Sequence, residues 1–291
     1  MRAVASEYEL VSPGTLDNVL ELMAGDPGAW TPIAGGTELM VQFAAGSLHA
    51  KRLVNILGLP ELVGISETAD WVKIGAGTTY AQLRRSEVLA AEFRLLSQSA
   101  GWTGSIANQN RGTLGGNLVN GSPAADSPPA LLAYGAEVEL VSVRGSRRLP
   151  YSEFHTGYKR SALRPDELVL AVHLPRGGSY GVEYLRKVGP RNAQAISKVA
   201  MGAVGSLVEG RVSGVRIGLA SVASAPLRCV ATEAWLHGRS VGDLAGAREV
   251  LLGEIAPIDD VRSTGAYRAQ VAGNLLEEFL GQLIARRVDR V

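Results

Sequence analysis

Apolar residues recur at helical spacing at Leu16, Val19, Leu20 and Met23, after Ser12-Pro13-Gly14-Thr15 and before Gly25, which predicts a short first helix with a glycine stop. The stretch 30–33 reads as a strand entering Ala34-Gly35-Gly36-Thr37, and 38–43 resumes the helical pattern. A second strand, glycine turn and helix follows, in which 71–74 leads into Gly75-Ala76-Gly77-Thr78-Thr79 and a helical stretch through Leu83. Val88, Leu89, Phe93 and Leu96 mark a further helical face within 87–98. Over 110–129 the periodicity lapses and Gly, Pro and Asn make up much of the chain, which predicts a long irregular stretch of the functional kind. Period-two alternation returns at Glu137-Val138-Glu139-Leu140, and 168–174 reads as another strand.

Arg176-Gly177-Gly178 is the expected domain boundary, with 1–176 before it, itself divided near residue 55, and 177–291 after it. Beyond the boundary 182–188, 195–208 and 212–222 predict three strands, the last two a hairpin across Glu209-Gly210. Helical patterns fill 232–236, 247–255 and 266–284. Strands grouped ahead of helices place the chain in the α+β class.

The length of 291 residues, 46% of them hydrophobic, suffices for two cores. With 29 Lys and Arg against 28 Asp and Glu, the formal charge of +1 gives no long-range field for polyanions, so nucleic acid is not an expected partner. The single cysteine, Cys229, cannot form an internal disulfide, a four-cysteine zinc site or an iron–sulfur cluster, and any such centre belongs on another chain. Met1 to Glu7 lacks the apolar core of a signal peptide, and no apolar run approaches the ~20 residues of a membrane span, so a cytoplasmic protein is expected. His49, His155, His173 and His237 are scattered without ligand spacing, and Asp259-Asp260 reads as a helix cap rather than a metal pair.

Gly75-Ala76-Gly77-Thr78-Thr79-Tyr80 opens like a dinucleotide fingerprint, but Tyr80 stands where the third glycine belongs, so a tight turn is the better reading. Gly177-Gly178-Ser179-Tyr180-Gly181 matches G-x-S-x-G, yet a strand rather than a helix follows, which makes Ser179 a linker residue. Two loops stand out: Ile33-Ala34-Gly35-Gly36-Thr37-Glu38-Leu39 and Thr113-Leu114-Gly115-Gly116-Asn117. Either alone reads equally well as a turn or as a phosphate-binding loop. Together, with Ser122-Pro123-Ala124-Ala125-Asp126 just beyond, they point to a large ligand carrying phosphates and a ribityl chain.

These segments, with Asn110-Arg111-Gly112 ahead of the second loop and Pro165-Asp166-Glu167-Leu168-Val169 downstream, closely resemble the FAD-binding medium subunits of molybdenum hydroxylases, the group of xanthine dehydrogenase and carbon monoxide dehydrogenase. The resemblance covers nearly the whole chain. It implies a two-domain FAD-binding fold of the vanillyl-alcohol-oxidase (PCMH) type followed by a C-terminal domain with a three-stranded antiparallel sheet and helices. Noncovalent FAD is the implied cofactor, with molybdopterin and 2Fe-2S clusters on a large and a small partner subunit, doubled into a dimer of heterotrimers, and NAD, a quinone or oxygen as acceptor. By the match, Pro32, Ile33, Ala34, Gly35, Gly36, Thr37, Glu38 and Leu39, with Thr113, Leu114, Gly115, Gly116 and Asn117, wrap the pyrophosphate, and Ser122 and Asp126 approach the ribityl and ribose hydroxyls. Leu114 and Val169 would line the isoalloxazine ring, and Lys187 would lie at its polar edge. Gln194 and Ala195 stand where many relatives carry an acidic residue. No catalytic acid, base or nucleophile is implied; a free-standing flavoenzyme and a flavin-dead assembly subunit are the alternatives.

Overall fold

The computed structural model describes residues 4–191 and 194–288; Met1 to Ala3 and Asn192 and Ala193, which fall in segments read above, lie outside the described residues. The chain opens with β1 (Glu9–Val11), α1 (Leu16–Gly25), β2 (Thr31–Ile33), α2 (Leu39–Ala44) and β3 (Arg52–Asn55). Thr15 starts α1 by accepting from the Asn18 N–H, and the apolar stripe Leu16, Val19, Leu20, Met23 packs on Trp30 and Val54. The three strands form a parallel sheet ordered β1-β3-β2.

A second unit follows: β4 (Ile65–Glu67), β5 (Trp71–Gly75), α3 (Tyr80–Arg85), α4 (Glu87–Glu92), α5 (Arg94–Trp102), α6 (Ile106–Gln109), α7 (Leu114–Asn120), α8 (Pro128–Tyr134), β6 (Glu137–Ser142), β7 (Gly145–Pro150), β8 (His155–Gly157), β9 (Arg160–Ser161) and β10 (Leu168–Pro175). Its antiparallel sheet runs β4-β5-β10-β6-β7, and Val72, Ile74, Leu140 and Val172 share a core with Leu83, Leu96, Leu114 and Leu131 from the helices. The stretch 110–129, expected to be irregular, contains α7 and the start of α8. Both escape a periodicity reading for physical reasons. The seven-residue α7 has two glycines and is defined by its ends, Thr113 accepting from the Gly116 N–H at 3.1 Å and Gly121 closing it at φ 61°. Every residue of α8 is buried, so no polar face exists to reveal a helical period.

The last unit holds β11 (Val182–Val188), β12 (Val199–Val208), β13 (Arg211–Ala220), β14 (Leu227–Arg228), α9 (Val230–Leu236), α10 (Ala247–Glu254) and α11 (Gly265–Val288). The sheet has four strands rather than three, ordered β11-β12-β13-β14, because the two-residue β14 adds to the edge of β13. Glu209 and Gly210, at φ 52° and 74°, turn the β12–β13 hairpin with Val208 opposite Arg211. The helix α8 of the preceding unit lies on this sheet with nothing between them: a Cβ on Gly202 would sit 2.8 Å from the Pro129 carbonyl group, and one on Gly218 2.5 Å from the Pro129 oxygen.

His155 in β8 meets the Tyr151 hydroxyl at 3.0 Å, and burial lowers its pKa to about 4, so it is neutral in the fold. A depressed folded pKa contributes stability that is present above the unfolded value near 6.5 and is lost as pH falls toward 4. Denaturant melts of His155→Gln beside the parent are therefore expected to show a flatter acid slope in the variant, the difference being on the order of 1–3 kcal/mol by pH 4; superimposable slopes would place His155 in a solvated setting.

Candidate functional site

The first glycine loop begins where Pro32 and Ile33 end their ladder, the Ile33 carbonyl accepting from the Ile56 N–H at 3.0 Å. Gly36 takes φ 72°, a conformation that favours glycine, and its carbonyl accepts from the Met40 N–H at 2.9 Å to start α2. The N–H groups of Gly35, Gly36, Thr37, Glu38 and Leu39 donate to no acceptor among the described residues. Glu38 reaches along α2, accepting from Gln42 at 3.1 Å.

The second glycine loop is wired differently. Arg111 and Gly112 both donate to the Asn108 carbonyl, Leu114 donates to Thr78 at 3.0 Å, Gly115 to Ala76 at 2.8 Å, Gly116 to the Thr113 hydroxyl, and Asn117 to the Thr113 carbonyl. Its amides thus serve the fold. Gly115 lets the loop cross the turn after β5, since a Cβ there would lie 2.6 Å from the Ala76 Cβ. Gly75 has an analogous reason: it is not in the left-handed region, and a Cβ would meet the Leu62 carbonyl oxygen at 2.4 Å. By contrast, a Cβ on the exposed Gly116 would meet only Thr113 Oγ1, at 2.9 Å. The two loops touch. A Cβ on Gly35 would fall 1.7 Å from the Arg111 carbonyl oxygen, so Ala34-Gly35-Gly36 lies flat against Arg111-Gly112. At the end of the second loop the Asn117 Oδ1 is buried with no hydrogen-bond partner among the described residues.

Beside the loops a cleft of about 940 Å³ runs between the second and last units, lined by Glu38, Ser122 and Asp126 on one side and by Ser197, Ser221 and Arg268 on the other. Leu114 and Val169, the expected apolar walls, are both buried in the core, where the side chain of Leu114 is fully enclosed. The apolar part of the cleft lining is Pro123, Ala124, Ile196, Ala223, Ala256 and Ile258. Ser122 accepts from the Ala124 N–H at 3.3 Å.

Asp126 is not a free acceptor. Lys187 Nζ donates to its Oδ2 at 2.7 Å and Ser197 Oγ to its Oδ1 at 2.8 Å, with the Lys187 and Asp126 side chains only 11% and 10% exposed. Lys187 also donates to the Trp102 carbonyl at 3.2 Å. Burial pushes the Asp126 carboxyl above its ordinary range, and the Lys187 charge and both hydrogen bonds pull it back. The network continues beyond the residues expected from sequence. Ser221, at φ 68°, donates its N–H to the Pro123 carbonyl at 2.7 Å and its hydroxyl to the Ser197 carbonyl at 2.9 Å. The buried Arg268 donates to the Ser221 carbonyl at 3.0 Å and to Asp260 at 2.7 Å. Burial opposes ionisation of Asp260, but the Arg262 and Ser263 N–H groups and Arg268 hold its pKa down to about 2. No sequence motif marks Ser197, Ser221 or Arg268, because the contacts that tie them to one another and to Asp126 are 24 to 71 residues distant. Arg191 donates to the Gln194 carbonyl at 3.1 Å.

The model of the FAD binding domain in molybdopterin dehydrogenase matches residues 6–177, and that of the CO dehydrogenase flavoprotein C-terminal domain matches residues 184–283. The chain is similar to the xanthine dehydrogenase FAD-binding subunit of Escherichia coli O157:H7, 29% identical over 93% of this chain and 94% of that one. It is similar to the carbon monoxide dehydrogenase medium chain of Afipia carboxidovorans, 31% identical over 88% and 89%. Among solved structures, it matches a chain of the carbon monoxide dehydrogenase from Hydrogenophaga pseudoflava that lacks the Mo-pyranopterin moiety of its cofactor, with a TM-score of 0.91 at 26% identity over 96% of this chain and 98% of that one.

Proposed function

Because this chain belongs to the FAD-binding medium subunits of the molybdenum hydroxylases, and so is an oxidoreductase component, we propose that it holds FAD noncovalently as the outlet of an electron path in a dimer of heterotrimers. In this reading 2Fe-2S clusters on a small partner chain, fed from molybdopterin on a large one, deliver electrons to it in the cytoplasm, and NAD, a quinone or oxygen takes them away. No helix among the described residues is long and apolar enough to cross a membrane.

The observation that carries the reading is the contact of the two glycine loops with the amides of the first left unpaired. Unpaired N–H groups converging at a glycine-lined surface suit phosphate oxygens, and the orphaned Asn117 Oδ1 leaves an acceptor for a ligand donor. The residues present fit FAD. The amides of Gly35 to Leu39 would hold the pyrophosphate, Thr113 and Asn117 would flank it, and Ser122 would face the ribityl chain. Lys187 would stand at the polar edge of the ring, with Asp126 as its anchor rather than as a hydroxyl acceptor. When bound, FAD supplies exchange between one-electron and two-electron carriers; the chain contributes placement, an apolar wall and a fixed positive charge.

The purified chain is expected to bind one FAD that acid precipitation releases, and to turn over no substrate without its partners. Gly116→Val is the specific test, because its side chain leaves the loop outward and, within the fold, meets only the Thr113 cap, worth about 1 kcal/mol. Flavin titration should show affinity reduced by roughly tenfold or more, because the valine side chain would take up space the ligand needs beside Thr113 and Asn117, while the apoprotein melt moves little. Parent-like flavin affinity in Gly116→Val would make the second loop a turn only, and vigorous partner-free oxidation of an aldehyde or N-heterocycle would favour the free-standing flavoenzyme.

A further inference from the structure

Among the residues of the two loops, 34–39 and 110–117, only two are ionisable: Glu38 and Arg111. Glu38 places a negative charge at the edge of the cleft. A diphosphate seated on the amides of Gly35 to Leu39 would add two more within a few ångströms, and amides alone carry only partial positive charge. The second loop adds no main-chain donors from Leu114 to Asn117, since those amides are bonded within the fold. It does bring Arg111. The peptide of that residue rests directly on Gly35, and its exposed guanidinium has no ion-pair or hydrogen-bond partner among the described residues.

We propose that Arg111 is the counter-charge of the bound diphosphate, and that it makes the site select a diphosphate-bearing flavin over one without phosphate. The inference rests on the FAD reading above. A planar guanidinium with a forked set of donors matches phosphate oxygens in a way a solvated lysine does not. With the guanidinium on the second loop and the free amides on the first, a diphosphate would be held along the line where the two loops touch. Glu38 then sets the discrimination: without Arg111 its charge repels a phosphate, and with Arg111 engaged that charge is balanced.

The test uses the full chain freed of flavin, with Arg111→Gln, Arg111→Lys and, as comparison, Lys159→Gln, which removes a cation that lines the cleft. FAD and riboflavin are titrated by fluorescence quenching, and ADP by displacement of FAD, at low and near-physiological ionic strength, with melts to verify folding. Arg111→Gln should weaken FAD and ADP by about 10- to 100-fold at low salt and flatten their salt dependence, because a charge-assisted contact is removed and no longer screened. Riboflavin should change by less than about twofold, since it carries no phosphate for the missing charge to meet. Arg111→Lys should keep most of the salt dependence but not the full affinity. An unaltered FAD affinity and salt slope in Arg111→Gln, or a loss that instead follows Lys159→Gln, would overturn the proposal. Failure of the parent itself to bind FAD would overturn the FAD reading, a distinct outcome.

Discussion

Asp126→Ala is expected to destabilise the flavin-free protein by about 3–5 kcal/mol, because it strands a buried ammonium group. Lys187 loses the carboxylate 2.7 Å away and keeps only the Trp102 carbonyl, while Ser197 loses its acceptor. From the sequence alone the same substitution is expected to weaken FAD and leave the empty protein as stable as before, since Asp126 is read there as a ligand for hydroxyls. The two accounts part at a simple measurement. Denaturant melts of apo Asp126→Ala should shift strongly, and the double variant Asp126→Ala/Lys187→Met, in which no charge is left stranded, should recover most of the loss. An unshifted melt for the single variant would mean that the pair is solvated and that Asp126 is available to a ligand after all.

Gly35→Ala should be the most damaging single methyl group in the chain. It would place a carbon 1.7 Å from the Arg111 carbonyl oxygen, backbone against backbone, so neither side can step aside by a rotamer change. The loops must separate, at a cost of several kcal/mol on the scale of severe overpacking, and the amides of the first loop no longer face Arg111. Apoprotein melts should fall and FAD titration should show no saturation at concentrations that saturate the parent. Gly36→Ala is the instructive neighbour: its cost comes from φ 72° and a 3.1 Å approach to Met40, a flexible side chain, so it should be milder. Equal effects of the two would mean that loop contact is not what Gly35 serves.

How far the sequence carries depends on how local the cause is. The units β2–α2 and β5–α3 were legible because strand, glycine turn and helix succeed one another locally, over 31–44 and 71–85; in the second, Thr79 and Gln82 even complete a reciprocal cap. The hairpin at Glu209-Gly210 was legible for the same reason. The helices α7 and α8 were not, one being too short and glycine-rich to show a period and the other buried all round. In the site, both glycine loops could be picked out, but not the difference between them. Which amides are free is decided by the turn at Ala76 and Thr78, nearly 40 residues earlier. Likewise Asp126 and Lys187 could each be named, but not their pairing, since Lys187 in β11 and Ser197 just ahead of β12 stand 61 and 71 positions on.

The bare seat of α8 on β12 and β13 has a consequence for distance. Two domains joined through side chains can rock, because rotamers give; here Gly202 and Gly218 put peptide against peptide, and nothing soft lies between. The cleft between these two units therefore has a set width, and a molecule held on one wall keeps a constant separation from whatever docks on the other. Electron tunnelling decays exponentially with that separation. In the relay proposed above, two absent side chains on a sheet would act as a spacer gauge for the rate of electron transfer.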